Sequence, residues 1–224
     1  MQKKTKLAIF DLDGTLIETR EDIADACNHA LRMCGYPERK LEEYNMLVGR
    51  GIANLFRGAL PEEHRTEENV MRMREIFVPY YNEHLADKSA PYSGIPEMLE
   101  RLNDGDIAIA VASNKYQEGT EILVSKFFDR KTFVQVLGQR EGRPIKPDPG
   151  IIHEIMGLTP GIRAEEVVYC GDSDVDMQTG KNAGVRTIGV TWGFRSREEL
   201  SAYKPWLMAD NPEEILRKLE GQTE

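Results

Sequence analysis

Short runs of apolar residues recur along the chain and predict buried β-strands. They lie at 7–10 (Leu-Ala-Ile-Phe), 107–111, 133–137, 167–170 and 187–190. Apolar runs of this length, bounded by polar residues, are typical of strands covered on both faces. Helical patterns separate most of them, at 116–127, 148–157 and 174–183. The alternation predicts an α/β fold with a Rossmann-like, mostly parallel sheet flanked by helices.

The segment from 18 to 86 interrupts this alternation because it contains no strand-like run. Its apolar residues follow helical spacing, first after Thr19 and again from Pro61 to His84. We interpret Thr19 and Asp22 as a capping box for the first helix, which Gly35 is placed to end. Pro79 is expected to kink or split the second helix.

This pattern predicts two domains. Residues 1–17 and 87–224 would form the α/β core domain, and residues 18–86 an inserted, all-helical cap domain. A chain of 224 residues is long enough for one large domain with such an insertion.

Composition narrows the function classes. The net charge of −9 argues against nucleic acid as a partner, since binding a phosphate backbone requires clustered Lys and Arg. The opening sequence MQKKTKLAIFDLDG has only four apolar residues before an aspartate, too few for a signal peptide or a membrane span. We therefore expect no membrane association and a cytoplasmic location, as a monomer or a homodimer. Three cysteines without a C-x-x-C pair indicate neither a disulfide framework nor a cysteine-ligated zinc.

A pair of aspartates follows the first predicted strand directly. Asp11 and Asp13 are two residues apart, so in an extended chain both side chains point to the same side. Ligands of open α/β sheets bind at this carboxyl edge. Gly14 would let the chain turn sharply there.

A second acidic cluster follows the strand at 167–170. Its polar members are Asp172, Ser173, Asp174 and Asp176. Carboxylates that converge on one point raise one another's pKa, and a hard divalent cation removes that cost. All-oxygen ligation favours Mg²⁺. The spacing does not match a calcium-binding EF-hand, because the sixth position is Met177 rather than glycine.

Two further strand ends carry polar groups. Ser113 and Asn114 follow the strand at 107–111 and offer a hydroxyl and an amide. Lys146 precedes a predicted helix, with Asp148 as its N-cap and Pro149 at its first position. An ammonium group held there can neutralise a phosphate.

Taken together, these motifs resemble those of the haloacid dehalogenase-like (HAD) hydrolase superfamily. The resemblance rests on the sequence DLDGTL at 11–16, on Ser113-Asn114, on Lys146 and on GDSDVD at 171–176. The helical insertion is similar to the helical cap of that family. The segment VGRGI at 48–52 resembles the cap loop of phosphoglycolate phosphatase-like members.

The resemblance implies a role for each residue. Asp11 would be the nucleophile and a Mg²⁺ ligand, and Asp13 the general acid/base with a backbone carbonyl on Mg²⁺. The other implied roles are phosphate binding for Ser113, Asn114 and Lys146, metal binding for Asp172, and an outer-shell position for Asp176 and Ser173. The aspartate at position 13 favours phosphate chemistry, because dehalogenases of the family lack it.

The sequence thus predicts a Mg²⁺-dependent phosphatase for a small, phosphoglycolate-like phosphate ester. A phosphosugar mutase and a catalytically idle regulatory or binding protein on the same scaffold remain alternatives. Gly49, Arg50 and Gly51 are candidates for substrate specificity, because arginine suits a planar carboxylate. An ordinary glycine turn with a solvated arginine is the competing interpretation of that loop.

Overall fold

Six parallel strands form the central sheet in a computed structural model that describes residues 4–221. In that part of the chain the strands are β1 (Leu7–Phe10), β2 (Ile17–Glu18), β3 (Ala90–Pro91), β4 (Ala108–Tyr116), β5 (Gln135–Gln139), β6 (Val167–Gly171), β7 (Arg186–Val190) and β8 (Leu207–Ala209). The sheet order is β5-β4-β1-β6-β7-β8, and each neighbouring pair is parallel. β2 and β3 form a separate antiparallel pair. The predicted parallel α/β fold is confirmed.

Helices connect these strands. The α-helices are α1 (Arg20–Met33), α2 (Tyr44–Leu47), α3 (Ile52–Ala59), α4 (Glu67–His84), α5 (Ile95–Asp104), α6 (Gln117–Phe127), α7 (Gly150–Leu158), α8 (Asp174–Ala183), α9 (Arg197–Ser201) and α10 (Pro212–Leu219). Short 3-10 helices lie at Leu41–Glu43, Glu62–His64, Arg130–Thr132 and Ala164–Glu166.

Strand β1 shows why an apolar run forms the centre of the sheet. All four of its residues are fully buried between β4 and β6. Successive side chains point to opposite faces, so Ala8 and Phe10 enter one hydrophobic cluster while Leu7 and Ile9 enter the other. A strand covered on both faces has no polar side, as its sequence predicted.

The described chain between β2 and β3 forms only helices. Within this insertion α1 packs against α4, and α3 also contacts α4. Phe56 and Phe77 lie in the same apolar cluster as Phe10 of the sheet. Burying a large side chain of this kind contributes roughly 1.5–3 kcal/mol, so the shared cluster holds the insertion against one face of the core. The division at 17/18 and 86/87 stays a prediction.

The capping box at the start of α1 is a wrong prediction. Thr19 is the N-cap residue, but its hydroxyl donates to Asp13 Oδ1 at 2.7 Å instead of capping the helix. Asp22 accepts from the backbone N–H groups of Lys88 and Ser89. Both side chains therefore bond to partners outside the helix. Thr19 bonds to Asp13 after β1, and Asp22 to the segment where the insertion returns to the core.

Other boundaries also differ from the sequence-based expectation. β4 continues to Tyr116, with a register irregularity after Ala112, so Ser113 and Asn114 lie within its span. α7 begins at Gly150, one residue later than expected; Asp148 still accepts from its N–H at 2.8 Å. Pro79 does not split α4, which is continuous from Glu67 to His84.

The helices differ from membrane-spanning helices in length and hydropathy. A membrane-spanning helix needs about 20 predominantly apolar residues. None of the helices within residues 4–221 has that combination of length and hydropathy.

Two helical glycines test the packing of the core. A Cβ on Gly180 of α8 would lie 2.2 Å from Thr187 Cγ2, whereas a Cβ on Gly157 of α7 would have no neighbour within 4 Å among residues 4–221. We expect Gly180→Ala to lower the free energy of unfolding by about 1–3 kcal/mol through overpacking. Gly157→Ala should raise it by about 0.4–1 kcal/mol through lost chain entropy. Urea unfolding of both variants measures the difference, and equal effects would contradict the packing of α8 on β7.

Candidate active site

The predicted site residues meet where the sheet changes its direction of growth. From β1 the chain adds β4 and β5 on one side, and then β6, β7 and β8 on the other. Such a strand order opens a crevice at the carboxyl ends of the central strands. Asp11 follows β1, Ser113 lies near the end of β4, and Asp172 follows β6. Residues far apart in sequence are therefore brought to one edge.

Asp11 and Lys146 form a buried ion pair in this crevice. Lys146 Nζ lies 2.9 Å from Asp11 Oδ1, and the two side chains are 1% and 4% exposed. Apart from this ion pair, no hydrogen-bond donor within residues 4–221 contacts Asp11 Oδ1, so this oxygen can accept from another partner. Burial raises the pKa of Asp11 to about 7, although the charge of Lys146 opposes the shift.

Asp13 points to a different set of groups. Its Oδ1 accepts from the Thr19 hydroxyl at 2.7 Å and lies 3.1 Å from Lys115 Nζ. Lys115 also donates to the Tyr81 hydroxyl at 2.9 Å. Asp13 thus has one partner before helix α1, Thr19, and one on strand β4, Lys115, which connects it to helix α4 of the insertion.

Two glycine-containing loops enclose Asp172. A Cβ on Gly14 would lie 2.5 Å from Asp172 Oδ2, and one on Gly193 would lie 2.3 Å from Asp172 Cβ. The carboxylate accepts from Thr15 Oγ1 at 3.2 Å and from the Phe194 N–H at 2.7 Å. Burial, together with the nearby carboxylates, raises the pKa of Asp172 well above its usual range. The fold therefore holds an acidic group where its charge is costly.

Asp176 is the saturated carboxylate of the cluster. One oxygen contacts Lys146 Nζ and the Tyr169 hydroxyl, each at 2.7 Å. The other accepts from the N–H and the hydroxyl of Ser173. Burial raises the pKa of Asp176, but the Lys146 charge and these hydrogen bonds outweigh it, so the pKa lies below the ordinary value. Asp176 therefore stays ionised and fixes the ammonium of Lys146.

These carboxylates can hold a divalent metal ion. Asp11, Asp172 and Asp176 each offer an oxygen within 4.8 Å of the others. Because Asp176 already has four donors, Asp11 and Asp172 have the greater free acceptor capacity of the three. Hard oxygen donors of this kind suit Mg²⁺, Mn²⁺ or Ca²⁺.

Asn114 links the phosphate-site candidates to the insertion. Its amide accepts from the Lys146 N–H at 2.8 Å and donates to the Lys146 carbonyl at 3.1 Å. The same amide nitrogen donates to the Gly49 carbonyl at 3.0 Å. Ser113 is 2% exposed, and its hydroxyl accepts from the Lys115 N–H. Asn114 therefore positions Lys146 and contacts the loop at 49–51.

That loop lies across a small cavity above the carboxylates. The cavity measures about 40 Å³, and both Gly49 and Gly51 line it. Arg50 is not among its lining residues within the described chain; its guanidinium pairs with Asp174 Oδ2 at 2.8 Å and is 44% exposed. The two predicted glycines therefore face the cavity, while the arginine between them contacts the core on the outside.

Sequence reasoning missed several residues of this site: Thr15, Thr19, Tyr81, Lys115, Tyr169 and the backbone N–H of Phe194. Lys115 directly follows the predicted Ser113-Asn114 pair, and all three line the same cavity, so its place in the sequence was the signal that could have found it. Tyr81 has no local signal, since it comes from a helix of the insertion.

The chain has relatives among known proteins. The family model of the haloacid dehalogenase-like hydrolases matches residues 8–190. A protein of Vibrio parahaemolyticus named phosphoglycolate phosphatase is 31% identical over 220 residues, with 96% of each chain covered. One of the same name from Aquifex aeolicus is 30% identical, covering 96% of this chain and 97% of its own.

A solved structure shows the same architecture. It comes from Haemophilus somnus 129pt and is described as a predicted phosphoglycolate phosphatase. The two chains are 27% identical and superpose with a TM-score of 0.88 over 96% of this chain and 98% of the other.

The raised pKa of Asp172 predicts a pH-dependent stability. A folded-state pKa above the unfolded value stabilises the protein below about pH 4, and this contribution is lost as the pH rises. In EDTA, we expect Asp172→Asn to raise the free energy of unfolding at pH 8 by about 0.5–2 kcal/mol, and by less at pH 5. The amide can still accept from Phe194 and donate to Thr15. Thermal unfolding of the wild type and of Asp172→Asn between pH 5 and 8 measures this difference in stability.

Asp176→Asn is the matched control. Asp176 has a lowered pKa, so its ionised form stabilises the fold above about pH 4. This variant should lose about 1.5–3 kcal/mol across the same pH range, because it removes the charged acceptor of Lys146, Tyr169 and Ser173 while Lys146 keeps Asp11 as a partner. The same sign for both variants would contradict the assignment of opposite charge environments.

Proposed function

The chain belongs to the haloacid dehalogenase-like hydrolase family, and we propose that it is a Mg²⁺-dependent phosphatase acting on phosphoglycolate or a similarly small phosphorylated acid. The general reaction is hydrolysis of phosphoric monoesters, and the names of the relatives support it. The observation that carries the proposal is the pair of aspartates on one loop: Asp11 lies against Lys146, and Asp13 has separate partners.

In the proposed first step, an Asp11 oxygen forms a bond to phosphorus. The bond from phosphorus to the leaving oxygen breaks, and Asp13 donates a proton to that oxygen. In the second step a water attacks the aspartyl-phosphate, Asp13 accepts its proton, and inorganic phosphate leaves. Two carboxylates suit this division, because the Asp11 carboxylate pairs with Lys146 Nζ, whereas that of Asp13 accepts from Thr19 and lies 3.1 Å from Lys115 Nζ.

Charge on the phosphoryl oxygens is the main obstacle in phosphoryl transfer. Lys146 and Ser113 would contact these oxygens, and Asp176 holds the Lys146 ammonium in place at 2.7 Å. Asp11, Asp172 and the backbone carbonyl of Asp13 would hold Mg²⁺, with Asp176 and Ser173 behind them. When bound, the ion supplies positive charge that neutralises the phosphoryl group and lets both carboxylates stay ionised.

The size of the cavity supports a small substrate. The cavity measures about 40 Å³, and one water molecule needs roughly 10–15 Å³, so only a few water-sized groups fit. We propose that residues 18–86 act as a cap over the core formed by 1–17 and 87–224. A cap of this kind excludes bulk water during the first step.

Phosphate release from a panel of phosphorylated metabolites tests the proposal. We expect Mg²⁺-dependent release that is fastest with phosphoglycolate, is abolished by EDTA and returns on adding Mg²⁺. Full turnover in metal-free buffer would refute the metal assignment. Conversion of a sugar 1-phosphate to the 6-phosphate, without phosphate release, would instead establish the mutase alternative.

Substitution of the two aspartates separates their roles. Asp11→Asn should abolish phospho-enzyme formation, because an amide is a poor nucleophile. Asp13→Asn should slow turnover by about 10²- to 10⁴-fold, the usual loss for a general acid/base. That loss should shrink with an aryl phosphate, whose leaving group needs no proton. Acid-quenched mass spectrometry detects the phospho-enzyme; its formation by Asp11→Asn would show that another residue is the nucleophile.

A further inference from the structure

The cavity above the carboxylates has one cationic side chain in its lining, within the described chain, and it is Lys115. This side chain is 5% exposed, and its Nζ lies 2.9 Å from the Tyr81 hydroxyl and 3.1 Å from Asp13 Oδ1. We propose that Lys115 binds the carboxylate of the substrate and so determines specificity for phosphorylated acids. The inference rests on the proposed function and names the residue that selects its substrate.

The hydrogen-bonding capacity of the cluster supports this role. An ammonium group has three donors, and Lys115 directs two of them at Tyr81 and Asp13. One donor is left for a ligand. The Tyr81 hydroxyl accepts from Lys115, so its own proton is available to donate. Burial raises the pKa of Tyr81 well above its ordinary value, which keeps that proton in place.

The apolar side chains that line the rest of the cavity explain why a carboxylate bound there needs a cation. The insertion contributes apolar side chains to the cavity, including Ile23, Leu55 and Phe77. An ionised carboxylate pressed against such a wall loses its hydration and needs a paired charge in return. A neutral group of the same shape has no such need. Lys115 therefore favours an acid over its neutral analogue.

Position also connects recognition to chemistry. Lys115 lies between Tyr81 of the insertion and Asp13, the proposed acid that protonates the leaving oxygen. In phosphoglycolate the carboxylate is one carbon away from that oxygen. A carboxylate held by Lys115 therefore leaves the ester oxygen on the side of Asp13.

Arg50 is the competing candidate, because the sequence pattern gave it this role. Its guanidinium pairs with Asp174 at 2.8 Å, is 44% exposed and is not part of the cavity lining. Binding a substrate would require it to leave that partner and turn inward. Lys115 needs no such movement, since it already faces the cavity.

The experiment compares phosphoglycolate with 2-hydroxyethyl phosphate, in which a neutral CH₂OH replaces the carboxylate. Lys115→Met should lower the ratio of their kcat/KM values by about 10- to 150-fold, the loss expected for one charge-assisted contact. Arg50→Met should leave this ratio unchanged. The control for a Lys→Met change is Lys126→Met, at an exposed position on α6.

The ratio isolates recognition from other effects. Because Lys115 also touches Asp13, its loss can slow both substrates, and such a common loss cancels in the ratio. Equal losses on both substrates would overturn the proposal, as would a change in the ratio with Arg50→Met alone. A wild-type enzyme without preference for phosphoglycolate would instead refute the proposed substrate, which separates the two failures.

Binding provides a readout besides turnover. In the Asp11→Asn background, which should not turn over, calorimetry with phosphoglycolate should give a Kd about 10- to 150-fold weaker when Lys115→Met is added. Unchanged binding would overturn the proposal.

Should Lys115→Met fail to fold, Tyr81→Phe provides a second test of the proposal. It removes one neutral hydroxyl and should lower the kcat/KM ratio by about 2- to 12-fold. An unchanged ratio in a folded Tyr81→Phe would overturn the proposal.

Discussion

The burial of four carboxylates around one point is the constraint on which the rest of the structure depends. Asp11, Asp13, Asp172 and Asp176 are all less than 10% exposed at the carboxyl ends of β1 and β6. Burying like charges together costs free energy unless cations or donors compensate. The compensation is uneven: Asp176 is saturated with donors, whereas Asp11 and Asp172 have raised pKa values. Asp176 is therefore a fixed support, whereas Asp11 and Asp172 remain available for chemistry.

The insertion completes the site by contacts with the same loops. Asn114 joins the Gly49 carbonyl to the backbone of Lys146, and Lys115 joins Tyr81 to Asp13. Neighbouring residues of β4 thus each connect a catalytic candidate to the insertion. The irregular pairing of β4 after Ala112 lies in this stretch, where the strand supplies site residues in place of regular ladder contacts.

The sequence predicted those features that depend on local spacing. Apolar runs located the central strands, and the two acidic motifs lie at strand ends, as the pattern indicated. Prediction was weaker where a side chain has a distant partner. Thr19 has the residue type of a helix cap, but Asp13 competes for its hydroxyl. Strand β8 has only three residues, too short to stand out from the surrounding loop. Tyr81 reaches the site only through the packing of α4.

The loop at 49–51 shows what residue type alone leaves out of a prediction about specificity. An arginine between two glycines is chemically suited to a carboxylate, but backbone direction decides which side chain faces the cavity. Both glycines have positive φ values, 97° for Gly49 and 83° for Gly51, and both line the cavity. Arg50 points outward to Asp174, where its contact fastens the loop to the start of α8. The cation inside the cavity is Lys115, whose Nζ is already held by the Tyr81 hydroxyl and the Asp13 carboxylate. A cation held by two buried partners can bind a ligand at a defined distance from Asp13, whereas Arg50 would first have to leave Asp174 and turn inward.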